Sequence, residues 1–288
     1  MKVNIIVSFV IIAAMLVSFG IAPIQVSYAN EENTTESASS SIEATFDYEI
    51  SDPEIEKDSG TTKNVTFYRN GNPIKAKIML PEGEGPFKTI VIVGGLYASL
   101  GFYSNKAQVF NENGYAVVEI RPTNNKMPPF YKEPEYLGDF VFEQMLDLSA
   151  VTDALTFFPQ VDLSHIYLYG HSMGGLAAVY AGGLRQDIIK GIILVEPSFQ
   201  YPENMAFENG QKLPADFYSF LSGCQVPVVI IQGTGERPDL HDFPHFYDKA
   251  IESLPKGEII IIDGADHLMN GEYGEQMVDS VCGLINEW

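Results

Sequence analysis

The sequence predicts a doubly wound α/β sheet, and three observations predict it. Eight short runs of apolar or alternating residues recur at 65–69, 75–80, 89–93, 116–120, 166–169, 191–195, 228–232 and 259–263. The later runs are apolar throughout, as strands covered on both faces must be. Helical stretches separate these later runs, and strand–helix alternation of that kind builds a parallel sheet with ligand sites outside the carboxyl ends of its strands.

Each element has a local cause. Residues 1–29 read as an export signal: Lys2, an apolar run over 5–21, and Ser27-Tyr28-Ala29 as a small-residue cleavage site. An uncleaved anchor is the alternative, because the run falls just short of a bilayer span. The chain is therefore expected outside the cell or in the cell envelope. Residues 30–60, rich in Glu, Ser, Thr and Asn, read as a flexible acidic spacer. The remainder, 61–288, is expected to be one domain.

Within that domain Asn70-Gly71 separates the first two runs, a strong hairpin signal, so the sheet starts antiparallel and continues parallel. Helices are expected over 143–158, over 173–184 and from 274 to the C-terminus. In the last of these, Met277, Val278, Val281, Leu284 and Ile285 share one face.

Bulk composition excludes some classes of partner. With 38 acidic and 17 basic residues the net charge is −21, which repels phosphate backbones, so no nucleic-acid partner is expected. Cys224 and Cys282 are too far apart for a redox or zinc pair of the C-x-x-C kind, and their pairing is left open. No repeat of twenty to fifty residues is visible, which argues against a solenoid or propeller.

The run 166–169 leads into Gly170-His171-Ser172-Met173-Gly174, the pattern G-x-S-x-G, and a small-residue stretch follows at 174–181. A bland reading is a strand, a turn, and glycines that admit a close helix, with Ser172 as its cap. The chemical reading puts a serine hydroxyl in the open at a strained strand-to-helix turn. A serine hydroxyl is a weak nucleophile at neutral pH, so that reading also requires a histidine base and a carboxylate to orient it.

Five histidines exist. His165 begins a strand and His171 lies inside the motif, so both read as packing or turn residues. His241 and His245 fall in an aromatic-rich loop, where Pro244 argues against a regular helix and against a metal site built on 239–245. His267, which follows the last run, is the candidate base. For the acid, the loop after 228–232 offers Glu236 first and Asp239 second; Glu196, directly after 191–195, is third. Oxyanion donors are expected at the amides of Met173, after the serine, and Leu96, after Gly94-Gly95.

The order Ser172, Glu236, His267 on this pattern resembles the α/β-hydrolase superfamily over about residues 61–288, "GHSMGG" being similar to the nucleophile motif of its esterases and lipases. "IIQGTGE" is similar to the acid-bearing loop of dienelactone-hydrolase-like members. The sequence departs from many members in reading Gly94-Gly95 for His-Gly, Glu for the commoner Asp, and "EIRPTNN" after the fourth strand. The resemblance implies an eight-stranded, mostly parallel sheet with helices on both faces and little or no cap domain. It also implies a serine hydrolase that cleaves small or lipid-like carboxylic esters without metal or organic cofactor. A peptidase or acyltransferase with the same triad, and a noncatalytic binding protein on the same scaffold, are the alternatives.

Overall fold

All eight predicted runs form strands of one sheet, and a ninth strand joins them at one edge. The computed structural model describes residues 2–8, 43–96, 98–123, 135–199, 217–235 and 243–288, with the backbone alone at 2–8, 43–47, 135–137 and 243–247. In chain order the elements are β1 (Lys2–Ser8), β2 (Glu43–Glu49), β3 (Glu54–Asp58), β4 (Thr62–Arg69), β5 (Asn72–Met79), β6 (Phe87–Val93), α1 (Ser104–Glu112), β7 (Ala116–Arg121), α2 (Glu135–Ala154), β8 (Val161–His171), α3 (Met173–Leu184), β9 (Ile189–Val195), α4 (Phe217–Gly223), β10 (Val228–Gly233), α5 (Phe243–Ser253), β11 (Gly257–Ile262) and α6 (Glu272–Ile285).

Strands of the main sheet lie in the order β11-β10-β9-β8-β6-β7-β5-β4-β3. From β7 to β11 neighbours are parallel, whereas β5, β4 and β3 add on antiparallel. The β4–β5 hairpin closes on Arg69↔Asn72, with Asn70 and Gly71 at φ 51° and 76°, the left-handed pair of a type I′ turn.

Alternate residues of the parallel strands feed two cores. Val91, Val93, Leu168, Leu194 and Ile230 face the layer of α2, α3, α4 and α5. Ile90, Ile92, Tyr169, Ile193 and Ile231 face α1 and α6. This double burial is why the runs carry no polar alternation. Cys224 belongs to the first core and Cys282 to the second, and both are free thiols. Because β6 has β7 on one side and β8 on the other, the chain reverses its direction of travel there, and the carboxyl ends of β6 and β8 form the switch point outside which open α/β sheets bind ligands.

Three features differ from the sequence reading. The stretch assigned to a spacer contains β2, which pairs with β1 as a separate two-stranded sheet, and β3, the edge strand of the main sheet. Every residue of β3 is exposed, so burial leaves no pattern in its sequence, while Tyr48 and Ile50 beside it are isolated apolar residues that sink into the core. Pro244 lies in the first turn of α5, where an absent N–H leaves no bond unmade; it therefore does not prevent a helix there.

A buried ion pair fastens the antiparallel edge to the helical layer: Arg69 Nε on β4 donates to Asp147 Oδ1 on α2 at 2.6 Å. Arg69→Met leaves a buried carboxylate without its cation and is expected to lower stability by about 3 kcal/mol. Urea unfolding measures this, and a loss below about 1 kcal/mol would mean that the pair is not a fastening.

Candidate active site

Parallel register brings the candidate loops level. Val93 pairs with Gly170 and His171 with Val195, so two steps past the first rung and one past the second, Gly95, Ser172 and Glu196 stand side by side at the carboxyl edge. β8 ends at His171 and α3 starts at Met173, which makes Ser172 the whole of the turn. Its backbone lies at φ 54°, ψ −123°. Such geometry costs an L-residue of order 1–3 kcal/mol and persists only where its surroundings over-determine it.

The surroundings do so. Ser172 N–H donates to Val195 O at 3.0 Å, and Ser172 O accepts from Gly175 N–H at 2.9 Å and Ser198 N–H at 3.1 Å. A Cβ on Gly174 would lie 2.5 Å from Gly94 O, so the start of α3 can cross the end of β6 only with glycine there. One on Gly95 would lie 2.8 Å from Ser172 Cβ and 3.2 Å from its Oγ, which puts the predicted oxyanion loop against the hydroxyl. The partner that the Ser172 hydroxyl meets in this structure is Ser198 Oγ, 3.3 Å away. Sequence reasoning missed Ser198, since nothing in a lone serine after Pro197 marks it.

His267 lies in the loop after β11, and that loop is stitched to the root of the predicted acid loop. Gly235 N–H donates to Ala265 O at 2.8 Å, Thr234 Oγ to Asp263 at 2.6 Å, and Gly264 N–H to Thr234 Oγ at 2.7 Å. Asp266 accepts from Leu268 N–H at 3.1 Å, which shapes the bend that carries the imidazole. Burial holds His267 below the ordinary histidine value, with the Asp266 carboxylate opposing the shift. The ring is therefore neutral at pH 7, the state that a general base requires.

The His267 loop meets the serine turn at His171. His171 Nε2 lies 2.7 Å from His267 O, and the two rings are 4.7 Å apart between centroids. His171 is thus more than the packing residue that its sequence position indicates. Burial, reinforced by the neighbouring His267, pushes its imidazole down to about 3.

Glu236 and Asp239 lie outside the described residues, as does His241. Glu196, the third candidate acid, is wholly buried with φ 46°, and its Oε1 accepts from Gly233 N–H at the root of the same loop. Of the predicted oxyanion donors, Met173 is the first residue of α3, whose leading amides have no acceptor within the helix. Leu96 follows Gly95 and packs against the larger core.

Of the aromatic residues on the loops at this edge, Tyr103 and Phe199 are buried in the cores, while Phe102 is 48% exposed. Tyr97, Phe130, Tyr131 and Tyr201, and the side chains of Phe243, His245 and Phe246, lie outside the described residues. So do positions 200–216. Among the described residues, no group of three His, Cys, Asp or Glu could hold a metal ion, and no helix is long and apolar enough to cross a membrane.

Residues 141–228 match the family described as serine aminopeptidase, S33. Esterase FrsA of Escherichia coli O157:H7 is 26% identical over 140 residues, which is 48% of this chain but 32% of that protein, so the match spans about a third of the length of the curated relative. Among solved structures, Est1E from Butyrivibrio proteoclasticus aligns with a TM-score of 0.62 at 18% identity, over 78% of this chain and 98% of that one. A dienelactone hydrolase from Anabaena variabilis ATCC 29413 aligns at 0.58 and 19% identity, over 79% and 97%.

The strain at residue 172 is measurable. Ser172→Gly relieves it, whereas Ser172→Ala keeps the Cβ and the strain. The glycine variant is expected to unfold at higher urea than the alanine variant, by about 1 kcal/mol once the larger entropy of unfolded glycine is counted. Equal or reversed midpoints would show that the turn is relaxed.

Proposed function

From the premise that this chain has the α/β-hydrolase fold, we propose that it is a serine hydrolase that cleaves carboxylic esters through an acyl-enzyme on Ser172. The observation that carries this reading is a strained, half-buried serine in contact with the Gly94-Gly95 turn, with the His267 loop bonded to the residue before it.

The chemistry follows from the named groups. Neutral His267 takes the Ser172 proton as Oγ bonds to the ester carbonyl carbon. The resulting oxyanion is held by the amides of Met173 and Leu96. Gly95 N–H already donates to the Tyr103 hydroxyl at 3.3 Å, so the second donor falls to Leu96. Collapse of the adduct breaks the ester C–O bond, and His267 returns its proton to the departing alkoxide. Water, deprotonated by the same imidazole, then releases the acid. Glu236 orients His267; Glu196 is the alternative, favoured by its complete burial and left-handed backbone. Residues 1–29 belong to the proposal as an export signal, whose removal takes β1 away from β2, and the mature enzyme acts outside the cell or in the cell envelope.

The match to a serine aminopeptidase family over 141–228 favours a second reading, in which the same residues cleave amides. Parallel assays on p-nitrophenyl esters and aminoacyl anilides separate the two, because fold and triad do not fix the leaving group.

Three outcomes are expected. A fluorophosphonate probe labels the wild type and not Ser172→Ala; an unlabelled wild type ends the hydrolase reading. kcat/KM rises through one deprotonation with a midpoint below 6.5 and is flat at neutral pH, because burial lowers the pKa of the base; an acid limb centred above 7 would contradict this assignment. Of Glu236→Gln, Asp239→Asn and Glu196→Gln, one is expected to lower kcat by ~10³- to 10⁴-fold, and equal activity in all three would place the acid elsewhere.

A further inference from the structure

A line of buried hydrogen bonds joins three loops of the candidate site through side chains outside the proposed triad. Glu119, at the end of β7, accepts from Gly101 N–H at 2.9 Å and Tyr103 N–H at 3.1 Å and so anchors the loop that follows Gly95. The Tyr103 hydroxyl accepts from Gly95 N–H at 3.3 Å and lies 2.8 Å from His171 Nδ1. On its other side His171 Nε2 lies 2.7 Å from His267 O.

Chemistry fixes the direction of each bond. A carbonyl oxygen only accepts, so Nε2 carries the ring proton of His171; in a neutral imidazole Nδ1 must then accept, and the Tyr103 hydroxyl donates to it. Protons therefore run from Gly95 N–H to Tyr103, from Tyr103 O–H to His171, and from His171 Nε2–H to the main chain of His267.

We propose that Tyr103 and His171 are positioning residues, which set the oxyanion loop and the base loop against the serine turn as one rigid unit. This rests on the serine hydrolase reading above and assigns work to two residues outside its triad. The bond that Tyr103 accepts from Gly95 N–H fixes the peptide one residue before Leu96 and thus the direction of the amide that follows. That from His171 goes to the carbonyl of His267 and not to its ring, so it holds the backbone of the base. His171 is buried and faces Tyr103, His267, Lys106 and Asp266. Burial and the neighbouring His267 hold its imidazole below the ordinary histidine value, so the ring is uncharged at neutral pH and keeps the tautomer that its two partners select.

If the pair merely fills the core, replacing it costs stability but leaves each folded molecule as fast as before. If it positions the loops, kcat falls in molecules that fold normally. The experiment therefore uses the full chain, a p-nitrophenyl ester, and a fluorophosphonate probe run to completion to count competent sites. Tyr103→Phe removes one hydroxyl. His171→Gln keeps a donor for the His267 carbonyl, while its acceptor Oε1, on the same carbon, is displaced from the Nδ1 position that Tyr103 meets, and His171→Phe removes both bonds.

Tyr103→Phe and His171→Gln are each expected to lower kcat per labelled site by ~10-fold, with KM within about twofold. The double variant Tyr103→Phe/His171→Gln should be no slower than the slower single, since the bond between Tyr103 and His171 is lost in both. His171→Phe should lose ~100-fold. Values of kcat per site within about twofold of wild type in Tyr103→Phe and His171→Gln overturn the proposal, even if His171→Phe does not fold. An unlabelled wild type overturns the hydrolase reading itself, and this proposal with it.

Discussion

Ser172 occupies a backbone conformation that an isolated chain would leave at once, and the structure around it consists largely of what keeps it there. The strain is local and of order 1–3 kcal/mol. What opposes it is spread out: all twelve residues of α3 are buried, so relaxing the turn would drag an apolar helix out of the core. Three main-chain hydrogen bonds from β9, from α3 and from the loop at Ser198 then leave residue 172 no alternative geometry. A small cost at one position is held by a large burial that does not itself touch a substrate.

Sheet topology decides what surrounds that serine. β8 is flanked by β6 and β9, and the loops that leave these strands emerge level with it. Gly94-Gly95 on one side and Glu196 on the other are therefore neighbours of Ser172 through register alone. His267 comes from β11, three strands away, and needs a connection of its own. The bonds of its loop to Thr234 and Gly235, and of its carbonyl to His171, supply one. Distance across the sheet is thus bridged by hydrogen bonds that the register cannot provide.

What the sequence made legible follows the same division. Strands buried on both faces, such as 166–169 and 191–195, are readable because burial demands apolar residues without interruption. The serine turn is readable because the crossing of β6 and α3 admits glycine and little else at 174. β3 was not, because an exposed edge strand held by ladder bonds places no demand on its side chains. α5 was hidden by Pro244, which is harmful inside a helix and harmless in its first turn. Ser198, Tyr103 and His171 act through contacts between residues 26 to 96 positions apart, and no local pattern encodes such a meeting. The orienting acid is hard to read for another reason: 38 carboxylates occur in the chain, and loop position alone separates Glu236, Asp239 and Glu196.

Two imidazoles 4.7 Å apart raise a question that the proposed chemistry must answer, namely why one takes the proton and not the other. Each disfavours charge on its neighbour, so the pair can carry one proton far more easily than two. His171 is the more deeply buried, its Nε2–H is committed to a carbonyl and its Nδ1 to a phenol, so protonation there would both desolvate a cation and break the bond from Tyr103. His267 is only partly buried and has Asp266 beside it to favour the cation. In the proposed chemistry this asymmetry makes His267 the site at which a transferred proton comes to rest, and the same bonds that deny charge to His171 tie it to the proposed base.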